Sequence, residues 1–364
     1  TGGFKDNMKK IAIIGFGGAG YSAAKEARQR DAEAEIHVYS DTDLGPYNPM
    51  LTTYYVKGTI PYDALFPFGS LEEVQKELKL IVHPHTPVTG LDPAAKTVRL
   101  SDGSEAQYDA ILISTGASAV KPQLEGIELP GVFTMRTVED AVQLKEALAS
   151  GKVRAGLVFG ASWSGIKVVE EFVEAGVDCT LMNRSRQAFS KALFPQTAER
   201  VQADLEKKGV HLAFGRTIDH IEPSEDGRLV AVANTGERYT ADLIAVTSGV
   251  RPNLAFLKGT DIAVGKGVAV NEHMESNYPG IYAAGDCCDA FETQSRTVKN
   301  LALWLNSMQQ GRVAGNCMTG GDARFGANVS LSLAHYLHYD FFCIGDVSTV
   351  SYTHLRAHET CADL

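Results

Sequence analysis

The chain of 364 residues is acidic, with a formal net charge of -10 at pH 7, and 44% of its residues are hydrophobic. Its length exceeds the size at which one hydrophobic core keeps growing, so two or three domains are expected. No stretch of the sequence gathers enough Lys and Arg for a nucleic-acid surface, and no apolar run is long enough to cross a bilayer. Both kinds of partner are therefore disfavoured.

The cysteines form no CxxC pair and have no metal-ligand spacing with histidine, so no metal site is predicted. No secretory segment is recognised before the first predicted strand, and a reducing cytoplasm is the expected location. Neighbouring Cys287 and Cys288 could form a redox pair, but adjacent cysteines bridge only with strain, which favours a packing role.

The first predicted element is residues 11–15 (IAIIG), an apolar run typical of a parallel strand buried on both faces. Translation is expected to begin at Met8, because residues 1–7 resemble a translated leader. A glycine-rich turn follows the strand, and alanines at helical spacing then lead to a second strand at residues 36–39. This order is one βαβ unit. Its turn contains Gly15, Gly17, Gly18, Ala19 and Gly20.

The spacing of this turn is GxGxxG, in which each glycine has a physical task. The first permits a tight turn, the second lets a pyrophosphate approach the backbone, and the third allows close helix packing. Gly15, Gly17 and Gly20 have those positions, and the helix N-terminus offers N–H groups to phosphate. An acid about twenty residues on would hold the ribose hydroxyls. Asp41 is predicted there, with Ser40 as the alternative.

Between the first unit and its later repeat, residues 98–100 and 108–114 are predicted strands. A stretch with Pro and Gly at residues 121–131 is the expected crossing into a second domain.

The same pattern recurs at residues 156–160 (GLVFG), followed by a second glycine turn, a helix at residues 166–174 and a strand at residues 179–182. Two such units in one chain indicate two dinucleotides, and that combination is typical of a flavin with a nicotinamide. The residues of the second turn predicted to bind its dinucleotide are Gly160, Ser162, Ser164 and Gly165.

Downstream of the second unit, hairpin-like strands are predicted within residues 229–239, and further strands at residues 243–247 and 281–284. The last two strands are expected to return to the first domain.

Two further segments have the character of flavin-binding turns. Residues 111–121 (ILISTGASAVK) resemble the turn that approaches the adenine half of FAD, with Thr115, Gly116 and Ala117 at its centre. Residues 280–286 (GIYAAGD) end an apolar strand in Gly285-Asp286 and resemble a second FAD signature of flavoproteins. That resemblance implies that the aspartate accepts a hydrogen bond from a ribityl hydroxyl.

These motifs in this order resemble the pyridine nucleotide-disulfide oxidoreductase superfamily over roughly residues 9–347. The branches that the sequence most resembles are rubredoxin reductase, the flavin portion of nitrite reductase, and the NADH oxidase and coenzyme A disulfide reductase group. Residues 137–144, 246–253 with Gly249, and 309–321 support the resemblance. The resemblance implies an α/β fold with two Rossmann-like, three-layer domains that bind FAD and NADPH or NADH. It also implies hydride transfer from nicotinamide C4 to flavin N5, and a C-terminal α+β interface domain for dimerisation.

The resemblance predicts the following domains. Residues 8–121 and 245–321 form the FAD-binding domain, residues 122–244 form the NAD(P)H-binding domain, and residues 322–350 begin a truncated interface domain. Residues 351–364 match nothing in the fold and are predicted to be a non-native tail. A homodimer is expected of the full-length family, and the predicted truncation removes much of its interface.

One departure from the family concerns the segment that in disulfide reductases and peroxide-handling relatives carries a reactive cysteine against the flavin. Here this segment is residues 45–58 (GPYNPMLTTYYVKG), and no cysteine precedes Cys179. Because only a thiolate can attack a disulfide, this route is disfavoured. The segment is more similar to the YxRPxLSK pattern of rubredoxin reductase.

Against that pattern, Asn48 or Pro49 stands near the arginine and Thr53 at the lysine, so a cation near flavin N5 is missing. Lys57 is an alternative source of charge, although a solvated surface lysine is the simpler interpretation. Trp304 resembles the family's segment beside the isoalloxazine, with core packing as the alternative. The catalytic residues themselves stay unassigned.

The second unit differs from sites that prefer NAD, which carry an acid after the second strand. Here the strand ends in Asn183, and Arg184 and Arg186 could meet a 2′-phosphate, which favours NADPH over NADH. The alternative is that both arginines are exposed loop charges and either nucleotide serves. Lys167 stands where the family often has a glutamate, and the sequence gives no account of that change.

The predicted function is electron transfer from NAD(P)H through FAD to a small carrier protein or small-molecule acceptor, without a redox-active disulfide. Two alternatives stay open. The first is a thiol or peroxide reductase that uses Cys287, Cys288 or Cys317, and the second is a flavin-containing protein that senses NAD(P)H without rapid turnover.

Overall fold

The computed structural model of the protein describes residues 8–190, 192–326, 329–336 and 339–345. The predicted leader and the predicted non-native tail lie outside these residues. The described chain divides into two compact units. The first unit is formed by residues within 1–48, 63–118 and 251–329, and the second by residues within 49–62, 119–250 and 330–364.

The strands of the described residues in chain order are β1 (Lys10–Ile14), β2 (Glu35–Tyr39), β3 (Ile81–His83), β4 (Val88–Asp92), β5 (Thr97–Leu100), β6 (Glu105–Gln107), β7 (Ala110–Ile113), β8 (Ala117–Ala119), β9 (Val132–Phe133), β10 (Ala155–Phe159), β11 (Asp178–Asn183), β12 (His211–Phe214), β13 (Ile218–Pro223), β14 (Leu229–Ala233), β15 (Arg238–Ala241), β16 (Leu243–Val246), β17 (Val250–Pro252), β18 (Val268–Ala269), β19 (Ile281–Ala283), β20 (Cys288–Glu292), β21 (Thr297–Lys299), β22 (Leu331–Tyr336) and β23 (Tyr339–Ile344). The α-helices are α1 (Gly18–Arg30), α2 (Thr52–Lys57), α3 (Leu71–Leu78), α4 (Val138–Ala149), α5 (Trp163–Glu174), α6 (Pro195–Lys207) and α7 (Trp304–Met318). Short 3-10 helices span Pro49–Leu51, Tyr62–Leu65 and Ala255–Leu257. None of the helices that the structure describes is long and apolar enough to cross a membrane.

The first unit is built on a parallel sheet with the strand order β19-β7-β1-β2-β3. The central β1 is apolar throughout its interior, as expected of a strand covered on both faces, and Ile11 and Ile13 are fully buried. The chain moves outward from β1 to β2 and β3, and then resumes on the other side of β1 at β7. This reversal makes the carboxyl ends of β1 and β7 the expected ligand position of an open α/β sheet.

Helix α1 packs against α7 at very short range in the first unit. Side chains at Gly311 and Gly315 of α7 would collide with the backbone carbonyls of Ala19 and Ala23 of α1. The alanines of α1 are fully buried or nearly so. Small residues on both helices therefore allow α1 and α7 to pack closely against each other.

The second unit repeats the architecture in a parallel sheet with the order β12-β11-β10-β16-β9. An antiparallel sheet of β13, β14 and β15 precedes β16. The sequence had assigned residues 243–247 to the first domain, and that assignment was wrong for β16. This strand pairs with β10, because Leu157 and Ile244 lie in register in one apolar sheet.

Helix α2 also belongs with the second unit, although the sequence placed residues 49–62 in the first domain. Its contacts explain the grouping. The ammonium of Lys145 on α4 donates to the carbonyl of Tyr55 at 2.6 Å, and Lys57 forms an ion pair with Glu170 on α5 at 3.1 Å. The hairpin β22–β23 packs on the same unit, with Phe341 against the rings of Trp163 and Phe189.

Two parallel sheets with covering helices confirm the predicted α/β class with two Rossmann-like units. The boundaries of most predicted strands agree to within one or two residues, as at β1, β2, β10 and β19. The helix of the second unit starts three residues earlier than predicted, at Trp163, because Ser162 caps its N-terminus.

Candidate functional site

The first glycine turn links β1 to α1 and is closed by backbone contacts. The N–H of Gly15 donates to the carbonyl of Tyr39 at 2.8 Å, and the φ angle of Gly15 is 92°, which side-chain-bearing residues rarely adopt. A side chain at Gly20 would collide with the carbonyl of Gly15. Gly15 and Gly20 therefore have the geometry expected for the tight turn and for close helix packing.

Ser114 holds this turn from the neighbouring strand. Its hydroxyl donates to the carbonyl of Ile14 at 3.2 Å and to that of Gly15 at 2.8 Å, and its side chain is buried. The sequence analysis missed this residue. The signal that could have found it is the small hydroxyl residue that directly follows strand β7.

The start of α1 is suited to a pyrophosphate. A Cβ at Gly17 would meet no described atom within 4 Å, so the backbone is open there to a ligand. No side chain of the described residues caps this helix, which leaves its first N–H groups for an anion. These two observations fit the phosphates of FAD.

Gly18 and Ala19 lie at the same helix start but face other parts of the first unit. A Cβ at Gly18 would lie 2.6 Å from the ring of Trp304, so Gly18 is required by packing against that ring. Trp304 also stacks on Phe68, with ring centroids 6.1 Å apart. Ala19 is buried against α7.

The two candidates for the ribose contact directly follow β2. Ser40 is buried, and its N–H donates to the carbonyl of His83 at 3.1 Å. Asp41 is exposed. Both lie beside the first glycine turn, because the carbonyl of Tyr39 receives the N–H of Gly15. The choice between them stays a prediction.

The predicted adenine turn after β7 is held by one asparagine. The amide of Asn253 donates to the carbonyl of Thr115 at 3.0 Å, and the hydroxyl of Thr115 donates back to the carbonyl of Asn253 at 2.8 Å. The N–H of Asn253 also donates to the carbonyl of Gly116 at 3.1 Å. Ala117 follows and is buried. Asn253 was missed as part of this turn, although the sequence analysis noted its segment.

Gly285 and Asp286 directly follow β19 and are positioned by helix α7. The N–H of Gly285 donates to the side-chain oxygen of Gln310 at 2.8 Å, and the hydroxyl of Ser307 donates to the carboxylate of Asp286 at 3.2 Å. Asp286 is half-buried. Since β19, β7 and β1 are neighbours in one sheet, the predicted FAD residues at their carboxyl ends share one edge of the first unit.

The second glycine turn, between β10 and α5, repeats the first. The N–H of Gly160 donates to the carbonyl of Met182 at 2.9 Å, and its φ angle is 117°. A side chain at Gly165 would collide with the carbonyl of Gly160. Thr247, which the sequence analysis also missed, donates its hydroxyl to the carbonyls of Phe159 at 3.1 Å and Gly160 at 2.9 Å.

The remaining predicted residues of this turn lie at the start of α5. The Ser162 side chain accepts a hydrogen bond from the N–H of Gly165 at 3.4 Å and caps the helix, and Ser164 lies in the first helical turn. Gly249, after β16, has a φ angle of 103°, and its carbonyl accepts the N–H of Val120 at 2.9 Å.

The loop after β11 is organised by Asn183. Its side-chain oxygen accepts the N–H of Ala161 at 3.2 Å, and its amide donates to the carbonyls of Ser185 and Gln187, both at 3.1 Å. The loop is thereby tied to the second glycine turn. Arg184 and Arg186 are exposed, and no acidic side chain of the described residues forms an ion pair with either.

The predicted flavin-facing residues are distributed over both units. Asn48 lies at the end of a segment of the first unit, and Pro49 starts a 3-10 helix of the second. The hydroxyl of Thr53 donates to the carbonyl of Met50 at 3.3 Å within α2. Lys57 is paired with Glu170 at 3.1 Å and Glu174 at 2.7 Å, so it is neither a solvated lysine nor an uncommitted cation.

The cysteines considered for redox chemistry are buried thiols. Cys287 donates to the carbonyls of Ile113 and Ala284, both at 3.3 Å, and burial raises its pKa to about 11. Burial also raises the pKa values of Cys288 and Cys317. Thiols of this kind are poor nucleophiles at neutral pH.

Two parallel α/β units, each with a glycine turn at the start of a helix, define an oxidoreductase of the two-dinucleotide class. The chain belongs to the pyridine nucleotide-disulphide oxidoreductase family, whose profile matches residues 9–311. This match confirms the resemblance seen in the sequence. The protein is therefore an NAD(P)H-dependent oxidoreductase and a flavoprotein, with FAD and NAD(P)H as its cofactors.

Two curated relatives are similar over most of the chain. An NADH oxidase of Methanocaldococcus jannaschii is 29% identical over 323 residues, which are 87% of this chain and 71% of the relative. A rubredoxin-NAD(+) reductase of Ectopseudomonas oleovorans is 28% identical over 313 residues, which are 85% of this chain and 80% of the relative.

Two solved structures are similar in fold as well. A NAD-dependent persulfide reductase from A. fulgidus has a TM-score of 0.87 and 26% identity, covering 92% of this chain and 64% of that one. An engineered water-forming NADPH oxidase, derived from the Lactobacillus brevis NADH oxidase, has a TM-score of 0.83 and 26% identity. The match covers 89% of this chain and 73% of that one. The chain therefore spans less than two thirds of the length of the persulfide reductase.

Proposed function

We propose that the first unit holds FAD, that the second unit holds the nicotinamide dinucleotide with a preference for NADPH, and that the reduced flavin passes its electrons directly to the acceptor. The observation that carries the proposal is the loop that starts at the end of β11. There Asn183 is tied to the second glycine turn, and two exposed arginines have no acidic partner among the described residues. The two glycine turns described above support the assignment of one cofactor to each unit.

The nucleotide preference rests on charge. A 2′-phosphate adds negative charge at the position where an acid would bind a ribose hydroxyl, so an acid repels NADPH and a guanidinium attracts it. Asn183 supplies no negative charge there, and its amide is engaged by the loop backbone. Arg184 and Arg186 have no acidic partner among the described residues and are open to a phosphate.

One of the similar structures supports this interpretation. The substitutions named for the engineered NADPH oxidase convert a consecutive Asp-Ala-Met into Ala-Arg-Ser and place a further Arg nearby. This chain reads Asn183-Arg184-Ser185-Arg186 from the last residue of β11 onward. The shared Arg-Ser, and the absence of the acid, favour NADPH here by the same electrostatic argument.

In the first unit, this chain's residues would bind FAD and orient it. The open start of α1 at Gly17 would hold the pyrophosphate, Ser40 or Asp41 the ribose, and Asp286 the ribityl chain. When bound, FAD supplies the chemistry that accepts a hydride and hands on electrons. The rigid turns on β1, β7 and β19 serve to keep the cofactor in one position.

The acceptor is proposed to be a small electron-carrier protein or a small molecule that reacts with the reduced flavin itself. A thiol relay is disfavoured, because Cys287, Cys288 and Cys317 are buried with raised pKa values and residues 45–58 contain no cysteine. The relative named as rubredoxin-NAD(+) reductase is consistent with transfer to a small electron-carrier protein.

The test is stopped-flow flavin absorbance after anaerobic mixing of the FAD-loaded protein with NADPH or NADH. Fast bleaching that is faster with NADPH supports the proposal. Slow or absent bleaching of a bound flavin would instead support the alternative of a flavin-containing protein that senses NAD(P)H without rapid turnover. A result in which NADH reduces the flavin faster would contradict the assignment of the arginines.

The double variant Arg184→Ala, Arg186→Ala sharpens this test. Each charge-assisted hydrogen bond contributes about 1.5–3 kcal/mol, so the loss of both arginines should lower the apparent affinity for NADPH roughly a hundredfold or more. The apparent affinity for NADH should change little. Arg200→Ala is the matched control, because Arg200 is an exposed arginine of α6 in the same unit. It should leave both affinities unchanged.

A further inference from the structure

Helices α2 and α5 of the second unit bury a cluster of charged side chains that the proposed function does not use. Glu170 is 2% exposed and receives two lysines, with Lys167 at 3.0 Å and Lys57 at 3.1 Å. Lys57 also pairs with Glu174 at 2.7 Å. The side chains of Lys167 and Glu174 are 8% and 45% exposed, so the cluster leads from the interior of the unit to its surface.

Glu171 lies beside this cluster and has no hydrogen-bond partner in the part of the chain that the structure describes. Its residue is 4% exposed, and neither carboxyl oxygen has a hydrogen bond among the described residues. The charged groups around it are Lys167, Glu170 and Glu174 on α5 and Lys57 on α2. Burial without a partner strongly disfavours an ionised carboxylate at such a site, so the neutral acid is the stable form.

Helix geometry gives Lys167 two possible partners. Residues three and four positions apart face each other on a helix, so both Glu170 and Glu171 lie within reach of Lys167. In the structure Lys167 binds Glu170, and its ammonium lies 4.8 Å from the centroid of the Tyr54 ring. If Lys167 turned to Glu171, Glu170 would keep Lys57 as its counter-ion.

We infer that Glu171 is the proton store of the second unit, and that the transfer of Lys167 from Glu170 to Glu171 releases its proton. In the first state Glu171 is a neutral acid and Lys167 pairs with Glu170. In the second state the O–H bond of Glu171 has broken, its carboxylate pairs with Lys167, and one proton has left through the exposed end at Lys57 and Glu174. No electrons move in this exchange.

The direction of the pKa of Glu171 agrees with this geometry. Burial raises it well above the ordinary value, Lys167 opposes the rise, and Glu170 and Glu174 add to it. At Lys57, burial acts to lower the pKa, but Glu174 and Glu170 raise it above its ordinary value, so this lysine stays charged in both states.

The position of Lys167 relates the proton exchange of Glu171 to the oxidation of NAD(P)H. Lys167 lies in the first half of α5, which starts at the second glycine turn. Oxidation of NAD(P)H consumes one proton when the acceptor takes two electrons and two protons, and releases one when two one-electron carriers are reduced. This use rests on the proposed function. The exchange itself does not.

Infrared spectroscopy of the FAD-loaded protein without nucleotide tests the exchange. At neutral pH the wild-type protein should show the carbonyl band of a protonated carboxylic acid, shifted in deuterium oxide. Glu171→Gln, a neutral side chain of the same shape, should remove that band. Glu199→Gln, at an exposed glutamate of α6, is the matched control and should retain it. If Glu171→Gln retains the band, the proton store is excluded.

Glu170→Gln tests the partner exchange separately. Without the charge of Glu170, Lys167 should pair with Glu171, which then ionises, so the acid band should disappear although Glu171 is present. A band that persists in Glu170→Gln would refute the exchange. Because no nucleotide is used, these outcomes are independent of whether NADPH reduces the flavin.

Discussion

The two glycine turns of the molecule are held by the same set of hydrogen bonds. In each, the first glycine donates to the end of the second strand, at 2.8 Å for Gly15 and 2.9 Å for Gly160. In each, a hydroxyl after the neighbouring strand secures the turn, Ser114 in the first unit and Thr247 in the second. The same hydrogen-bond pattern therefore stabilises the backbone of the strand–turn–helix segment in both units.

The helices that follow the two turns are different. Helix α1 is covered by α7 through alanine and glycine contacts, and its start has no side-chain cap among the described residues. Helix α5 is capped by Ser162 and buries Lys167, Glu170 and Glu171. The two units therefore share the backbone geometry of the turn and differ in the side chains that the following helix buries.

The largest expected effect comes from breaking each turn separately. Gly20→Val and Gly165→Val both force a side chain into a backbone carbonyl of the same turn, and each should cost roughly 3 kcal/mol or more of unfolding free energy. Gly20→Val should lose bound FAD, measured by absorbance after gel filtration. Gly165→Val should keep FAD but lose reduction by NADPH.

Gly326→Ala is the control for these variants, because a Cβ there meets no described atom within 4 Å and its φ angle needs no glycine. It should keep FAD and its reduction. Loss of FAD in Gly165→Val with full retention in Gly20→Val would reverse the assignment of the two units.

The next effect concerns the charges of α5 and depends on pH. Because the pKa of Glu171 is raised in the folded protein, the native state keeps a proton that the unfolded chain loses above its ordinary pKa of 4.5. Stability should therefore fall as the pH rises from that value to the folded pKa, by up to about 1.4 kcal/mol per pH unit, and then level off.

Glu171→Gln should remove this component of the pH dependence. Urea unfolding curves should show the variant equal to the wild type at acidic pH and more stable at neutral pH. Parallel pH profiles for the two proteins would contradict a neutral buried Glu171. The equivalent face of α1 offers no such group, which sharpens the contrast between the helices.

A smaller effect is expected from the hydroxyls that secure the turns. Ser114→Ala and Thr247→Val each leave two carbonyls with one hydrogen bond fewer, which should cost roughly 1–3 kcal/mol. Thermal unfolding should detect both losses. Ser114→Ala should weaken FAD retention and Thr247→Val should weaken NADPH binding. Equal effects of either variant on both ligands would show that the two turns are not independent.

The smallest effect on turnover is expected from the buried thiols. Cys287→Ala, Cys288→Ala and Cys317→Ala should each reduce stability by about 1 kcal/mol, because they remove a small buried group. Steady-state acceptor reduction should stay unchanged in the triple variant. A loss of turnover with flavin reduction intact would restore the thiol-reductase alternative.

Much of the fold was predictable from the sequence, because short apolar runs such as β1 and β10 are buried strands and GxGxxG turns require glycine for steric reasons. The contacts of Ser114 and Thr247 were not predictable from spacing, since they join residues 99 and 87 positions apart. The place of β16 was misjudged, because the sequence of an apolar strand does not indicate which sheet the strand joins.

The site was only partly predictable for a similar reason. Lys57 was considered as a free cation or a solvated surface group, whereas Glu170 and Glu174 on a distant segment pair with it. The sequence noted Lys167 without an explanation, and the structure supplies its partner in Glu170. Charge pairing between separate helices depends on tertiary packing, which local sequence patterns do not encode.

The packing of α7 on α1 has a consequence for synthesis on the ribosome. The side chain of Asn316 on α7 donates to Glu26 on α1 at 3.1 Å across 290 positions of the chain. Helix α1 must therefore wait until α7 has been synthesised before its partner exists, while residues 119–250 leave the ribosome earlier. We expect residues 119–250 of the second unit to fold before the first unit completes its core, which departs from the usual N-terminal-first order.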